Sequence, residues 1–248
     1  MERGLELNRD LRKASSYVLS LLPAPIEMGR VLANWRFLPS AQLGGDAFGY
    51  DWLDPDTFAC YLIDVSGHGV GAAMHSVTVM NVLRQRALPG VDFTDPAAVL
   101  TSLNDKFQMD RHDGLYFTMW YGVYRTSERM MAYSAAGHHP ASLVTADKQT
   151  VYPLGEPNLM IGAIPGVAYD VSRAAVPAGS TLFLFSDGAF EVVTADGSRW
   201  SRSDFLPLLQ EPGDSDMPEP ERIYRRVRSV MGTGVMEDDF SIVAVTFP

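Results

Sequence analysis

Four acidic motifs, each beside glycine or serine and each at the end or start of an apolar run, constrain this chain more than any other feature. They are GGD at Gly44 to Asp46, DVSGHG at Asp64 to Gly69, FSDG at Phe185 to Gly188 and EDD at Glu237 to Asp239. At least three chain-distant segments can thus deliver carboxylates to one place. Two carboxylates about 4 Å apart repel by about 1 kcal/mol in water and about 4 kcal/mol at an effective dielectric of about 20, so a fold that gathers them needs cations there. Mg²⁺ and Mn²⁺ take oxygen donors, accept few protein carboxylates and complete their shells with water. The pattern points to a carboxylate cage for divalent ions, in which water held between two ions about 3.5 to 4 Å apart loses its proton near neutral pH and attacks phosphorus in line.

Composition narrows the classes further. The 248 residues are 46% apolar, enough for a packed globule with two sheets rather than a disordered chain. The net charge of −10 and the lack of a long basic run exclude nucleic acid as a partner, because phosphate backbone would be repelled. Cys60 is the single cysteine and lies in the apolar run Phe58 to Val65, so it reads as a buried thiol and rules out disulfides or thiolate metal sites within one chain. No apolar stretch approaches the roughly 18 residues of a membrane span and the N-terminus lacks a signal-peptide core, which leads to the expectation of a cytosolic, membrane-free protein.

Periodicity divides the chain at about residue 22. Leu7, Leu11, Ala14, Val18 and Leu21 recur at alternating four- and three-residue spacings up to the turn Leu22-Pro23-Ala24-Pro25, a helix with a coiled-coil-like seam. Residues 1–22 therefore read as a linker helix, packed on its own domain or pairing two copies and relaying a signal from an upstream receiver or sensor. Residues 23–248 read as one domain. Strands are expected over Val31 to Leu38, Thr57 to Asp64, Tyr116 to Arg125, Met130 to Ala135, Thr181 to Phe185 and Ser241 to Phe247. Helices are expected over His68 to Ala87, Pro96 to Met109, Arg202 to Leu209 and Glu219 to Met231. Short links such as Thr126-Ser127-Glu128-Arg129 favour antiparallel hairpins. Strands and helices come in blocks, so the fold class is α+β, with stacked sheets covered by helices.

The segments GGDAFGYDWL, YLIDVSGHGVGAAMHS, YSAAGHHPASLV, LFSDGAFEV and EDDFSIVAV, in this order, resemble the successive signatures of the SpoIIE-type branch of metal-dependent serine/threonine protein phosphatases. The likeness runs from about Leu21 to Pro248. It implies a four-layer α-β-β-α sandwich with two Mn²⁺ or Mg²⁺ ions at one edge of the paired sheets. The implied reaction is hydrolysis of phosphoserine or phosphothreonine on a signalling protein, a STAS-domain anti-anti-sigma factor, by metal-activated water. The same resemblance admits an alternative, an RssB-like response-regulator output domain whose ligands have decayed and whose scaffold docks proteins, although here the principal acidic positions are retained.

Carried onto these residues, the resemblance makes Asp64 the carboxylate bridging both metals, with the Val65 carbonyl completing one shell. Asp187 and Asp238 become the other catalytic ligands, Asp46 an outer ligand acting directly or through water, and Asp239 a supporting group. Each could instead cap a turn. Gly44, Gly45, Gly67, Gly69 and Gly71 let the backbone approach the ions and turn into the following helix, whose free amides suit phosphate or loop ordering. His68 reads as a proton donor or, more simply, as a loop-ordering residue. Arg36 is the candidate phosphate-binding fork, with an ordinary strand-surface arginine as the plainer reading. His138 and His139 should shape a turn and point apart rather than hold zinc. Met119, Trp120, Tyr121, Phe183 and Phe185 read as core, with no cofactor attached.

Overall fold

The computed structural model describes residues 2–39, 43–214 and 216–248, and the side chains among them apart from those of residues 2–8 and 12. In chain order the elements are α1 (Glu2–Leu21), β1 (Leu32–Leu38), β2 (Asp46–Trp52), β3 (Thr57–Val65), α2 (Val70–Arg84) and α3 (Pro96–Lys106). There follow β4 (Phe117–Arg125), β5 (Met130–Ala136), β6 (Ala141–Val144), β7 (Val151–Leu154), β8 (Ser172–Ala175) and β9 (Ser180–Phe185). The chain closes with α4 (Arg202–Gln210), α5 (Glu219–Met231) and β10 (Phe240–Phe247). One antiparallel sheet has the order β2-β3-β4-β5-β8 and the other β1-β10-β9-β6-β7.

Alternation along the strands decides the layers, since successive side chains face opposite sides of a sheet. In β3, Phe58, Cys60 and Leu62 face the second sheet while Ala59, Tyr61 and Ile63 face α2 and α3. Trp35 of β1 meets Phe48 of β2 at 5.3 Å between ring centroids, and Tyr124 of β4 meets Phe247 of β10 at 4.4 Å. Trp120 is buried between the sheets and its indole N–H donates to the Leu154 carbonyl at 2.7 Å, so its polar atom is satisfied as well as its ring. On the far side of the second sheet, Phe183, Phe185, Ile242 and Ala244 pack against Phe205, Leu208, Ile223 and Val227 of α4 and α5. The result is the expected four-layer α-β-β-α sandwich.

The expected helix at His68 starts at Val70 and stops at Arg84, because Gly69 (φ 87°) and Arg86 (φ 52°) take left-handed backbone at its two ends. α3 ends at Lys106, and a separate 3-10 turn covers Met109–Arg111. β2, β6, β7 and β8 were not among the expected strands. β2 is interrupted in pattern by Gly49 and Asp51, and the other three are four residues each, too short to display an alternation.

α1 forms as expected, with Leu11, Val18 and Leu21 half-buried and Ala14 exposed; Leu7 of the seam lies outside the described side chains. The helix is tied to the domain at its C-terminal end. Arg84 donates to the Leu21 carbonyl at 3.0 Å, the Trp35 indole to the Pro23 carbonyl at 2.8 Å and the Tyr50 hydroxyl to the Ala24 carbonyl at 2.8 Å.

Candidate active site

The carboxylates gather where the inner faces of the two sheets open at one end. Asp64 shares the inner face of β3 with Leu62 and Cys60, and Asp46 shares that of β2 with Phe48; register places the two aspartates directly opposite each other. Asp46 is 3% exposed, and its carboxylate accepts from the Ser241 hydroxyl of β10, in the other sheet, at 2.5 Å. The Asp46 amide donates to the Asp239 carboxylate at 3.2 Å. Behind them Ser186 donates to the Asp239 carbonyl at 3.0 Å and accepts from the Ser241 amide at 3.1 Å. Two hydroxyls therefore lock the FSDG and EDDFS segments to the GGD segment across the sandwich.

In front of this lock lies a cleft of about 410 Å³ lined by Asp64, Asp187, Glu237, Asp238 and Asp239 together with Val65, Ser66, Gly67, His68, Tyr116, Thr118 and Met160. Three chain-distant acidic motifs converge there, and the fourth, through Asp46, stands behind Asp64. Glycine is required where the segments touch. A Cβ on Gly44 would fall 1.9 Å from an oxygen of the Asp239 carboxylate, and one on Gly45 2.7 Å from the Val65 carbonyl oxygen. Gly67 (φ 82°) and Gly69 hold left-handed turns that β-carbon-bearing residues resist. Gly71 has open space around it in the first turn of α2, so the expected mechanical need does not extend to it.

The electrostatics match a cluster short of positive charge. Burial pushes the Asp64 carboxyl up to about 8, assisted by Asp187, Asp238 and Asp239. Burial and then Asp238 and Glu191 raise Asp187 to about 6. Burial also raises Asp238, with His68 opposing the shift, and raises Asp46 well above the usual carboxylate range with help from Asp64 and Asp239. Among the described residues no lysine or arginine lines the cleft. Nor, among them, do three carboxylate, imidazole or thiolate groups already close on a single point as a finished metal shell. The group that fits is still a hard divalent cation: the donors are oxygens, they are partly desolvated, and each raises its neighbours' proton affinity for want of a counter-charge.

Other sequence candidates fall elsewhere. Arg36 is not brought to the cleft; its Nε lies 3.4 Å from a Glu221 carboxylate oxygen and its guanidinium 4.8 Å from the centre of the Tyr224 ring, on the α5 side of the second sheet. β1 alternation sends it there, away from Phe37 and the inner face. His68 lines the cleft but precedes α2 rather than opening it. The His138 and His139 rings do not point apart as expected but sit 4.3 Å from each other, because the Gly137 turn (φ 67°) breaks strand alternation. Each Nδ1 donates to a neighbouring carbonyl and His139 packs on Phe185 at 4.6 Å, so the pair shapes a turn. Cys60 is fully buried, with burial alone pushing its thiol up to about 12. Sequence reasoning missed Ser186 and Ser241, whose signal was their place inside the FSDG and DFS motifs, and Met160 and Tyr116, which carried none.

Two antiparallel five-stranded sheets, helices on both outer faces and a carboxylate cluster at one end define a PP2C-like phosphatase domain. Within that class the chain belongs to the SpoIIE family: the model of stage II sporulation protein E (SpoIIE) matches residues 54–248. Among curated relatives, phosphoserine phosphatase RsbU of Bacillus subtilis (strain 168) is 25% identical over 247 residues, covering 98% of this chain and 72% of RsbU. Phosphoserine phosphatase RsbP of the same organism is 26% identical over 194 residues, or 77% of this chain, which spans only 46% of RsbP. The SiaA-PP2C domain of Pseudomonas aeruginosa superposes with a TM-score of 0.84 at 20% identity, covering 99% of both chains.

Proposed function

We propose that this chain is a metal-dependent protein serine/threonine phosphatase that hydrolyses phosphoserine or phosphothreonine on a signalling protein, a STAS-domain anti-anti-sigma factor. The observation that carries this reading is the convergence of Asp64, Asp187 and Asp238 on one cleft with no resident cationic lysine or arginine among the described residues. Family membership and the phosphoserine phosphatase relatives support it. Retention of every acidic position weighs against a decayed adaptor domain.

Asp64, Asp187 and Asp238, with the Val65 carbonyl, are the groups that would hold two Mn²⁺ or Mg²⁺ ions, and Asp46 stands behind them as an outer residue. Bound there, such ions supply a water nucleophile at neutral pH and offset charge developing on the phosphoryl oxygens. The protein's own contribution is positional. Ser241 orients the Asp46 carboxylate, Asp46 and Asp239 set the spacing of the GGD and EDD segments, and Val65 lines the cleft next to the Gly67 turn. His68 borders the cleft from a solvent-exposed loop and orders that loop rather than moving a proton. Cys60 takes no part, since a nucleophilic thiol needs a phosphate-cradling loop and a depressed pKa.

Residues 1–22 serve as a linker helix to an upstream receiver or sensor, with residues 23–248 as the catalytic domain. The seam on α1 pairs two copies. Its place of action in this reading is the cytoplasm; no helix among the described residues is long and apolar enough to cross a membrane.

Phosphate release from a phosphorylated STAS-domain protein, measured with and without Mn²⁺, tests the reading. The unsubstituted chain should turn over only with the ion and Asp64→Ala should not; equal turnover by both chains would refute the metal mechanism. Sedimentation of the chain with and without residues 1–21 tests the pairing: two monomers at micromolar concentration would end it.

A further inference from the structure

One loop supplies part of the cleft wall that bears no carboxylate. Residues 155–171 run from β7 of the second sheet to β8 of the first, and on the way Met160 enters the cleft lining together with Tyr116 and Thr118. The loop is fixed on both sides of Met160. A Cβ on Gly137 would come 2.9 Å from the Met160 Cα, so the two backbones are in contact. Immediately after Met160, the Ile161 amide donates to the Phe117 carbonyl at 2.9 Å and the Phe117 amide to the Ile161 carbonyl at 3.1 Å. That exchange joins the loop to the first residue of β4, between Tyr116 and Thr118, so the three lining residues belong to one connected wall.

The wall is anchored by Asn104 of α3, a fully buried residue that does not line the cleft. Its Oδ1 accepts from the Gly162 amide at 2.8 Å and its Nδ2 donates to the Ile164 carbonyl at 3.0 Å. Just past the end of α3, the Met109 amide donates to the Gly162 carbonyl at 3.0 Å. Gly162 has φ 91° and a Cβ there would fall 2.4 Å from the Phe107 carbonyl oxygen, so helix end and loop pass at a separation that only glycine permits. A buried amide side chain destabilises a fold unless it is paired, a requirement that Leu100 and Leu103, buried on the same helix, do not carry. Both side-chain hydrogen bonds of Asn104 go to the loop that bears Met160.

With divalent ions on the carboxylates, the ions face the phosphoryl group and water. The substrate chain on either side of the phosphoserine then meets the remaining lining, which is the Ser66-Gly67-His68 turn and the wall of Tyr116, Thr118 and Met160. Resting on the phosphatase reading above, we propose that Met160 and Tyr116 are the surface on which the substrate chain beside the phosphoserine packs, and that Asn104 is the positioning residue that holds Met160 there through Gly162 and Ile164.

Steady-state kinetics with Mn²⁺ test this on the full chain, on Met160→Ala, on Asn104→Asp, which keeps the acceptor for the Gly162 amide and loses the donor to Ile164, and on the two substitutions combined. The probes are a phosphoserine peptide and p-nitrophenyl phosphate, which has no chain beside its phosphate. The ratio of KM for the peptide to KM for p-nitrophenyl phosphate should rise about tenfold in each single variant, with kcat changing much less and Mn²⁺ affinity by calorimetry preserved. The combined variant should match Met160→Ala alone, because Asn104 acts through Met160. An unchanged ratio in either single variant, effects that multiply when combined, or a loss confined to kcat would overturn the proposal. If Asn104→Asp does not fold by circular dichroism, Asn104→Ser takes its place; unfolding of both would also overturn it, since Asn104 would then hold the fold and not the wall. No hydrolysis of either probe by the unsubstituted chain would refute the phosphatase reading, and anisotropy of the labelled peptide on the same chains then decides the docking wall. Binding about tenfold weaker in both single variants would keep the wall, and equal binding would end it.

Discussion

Asp46 and Asp64 face each other across the β2–β3 ladder, both on the inner face of their sheet. Like charges directly opposite on a ladder oppose pairing. The pair is tolerated because Ser241 from the other sheet donates to Asp46, and because Asp64 opens onto the cleft where a cation can reach it. In the proposed reading, sheet pairing and ion binding are thereby linked through two side chains.

That linkage sets a pH dependence. Asp64 titrates near 8 in the folded chain against an ordinary 3.8, so the folded state holds the proton more tightly. Its stabilising contribution is full below the ordinary value and is lost as pH rises through the folded one. Without divalent ions the melting temperature should fall between about pH 4 and about pH 8, and Mn²⁺ should restore it at the upper end. Asp64→Asn should flatten part of the fall, Asp46, Asp187 and Asp238 contributing the rest, while reducing phosphate release at least about a hundredfold. A slope unchanged in the variant would show that other groups govern it.

Ser241→Ala removes the hydroxyl that satisfies a buried carboxylate. Loss of about 1 to 3 kcal/mol in urea unfolding is expected, together with weaker Mn²⁺ binding by calorimetry, because Asp46 loses the bond that orients it. Full stability in the variant would mean water or a rearranged Ser186 replaces the bond.

Gly44→Ala should damage the site more than the fold. Its new Cβ collides with the Asp239 carboxylate, which has to swing away from the Asp46 amide. Overpacking of this kind costs about 1 to 3 kcal/mol. kcat should fall well beyond what residual unfolding explains, as read by turnover per folded molecule from circular dichroism.

Arg222 offers the contrasting case. Its guanidinium is buried between α4 and α5, 3.2 Å from Glu211, 2.6 Å from Glu219 and 2.9 Å from the Leu208 carbonyl. Arg222→Ala should destabilise by about 3 kcal/mol, the low end for breaking a buried pair since both glutamates are partly exposed. kcat per folded molecule should not change, because the pair lies on the far side of the second sheet from the cleft.

The acidic motifs were legible in the sequence because each concentrates its signal in three or four adjacent residues. α5 was legible to the residue because its apolar stripe, bounded by Pro218 and Gly232, is local. Of the two readings of Arg36 the strand-surface one fits its position, because nearness to GGD in sequence says nothing about which face of β1 a side chain takes and alternation sends it toward Glu221 and Tyr224. His138 and His139 shape a turn as expected, but their rings lie together rather than apart because the Gly137 turn interrupts strand alternation.

By itself the sequence determined the α+β class, the placement of acidic residues at strand ends and the absence of usable thiol chemistry, since these follow from short-range periodicity and composition. Only tertiary structure decided that Asp46 pairs with Asp64 and that Ser186 and Ser241 lock the motifs together. Register, sheet order and the closing of two sheets on each other bring together residues nearly two hundred positions apart, as in the bond from Ser241 to Asp46, and no local pattern in the chain encodes that meeting.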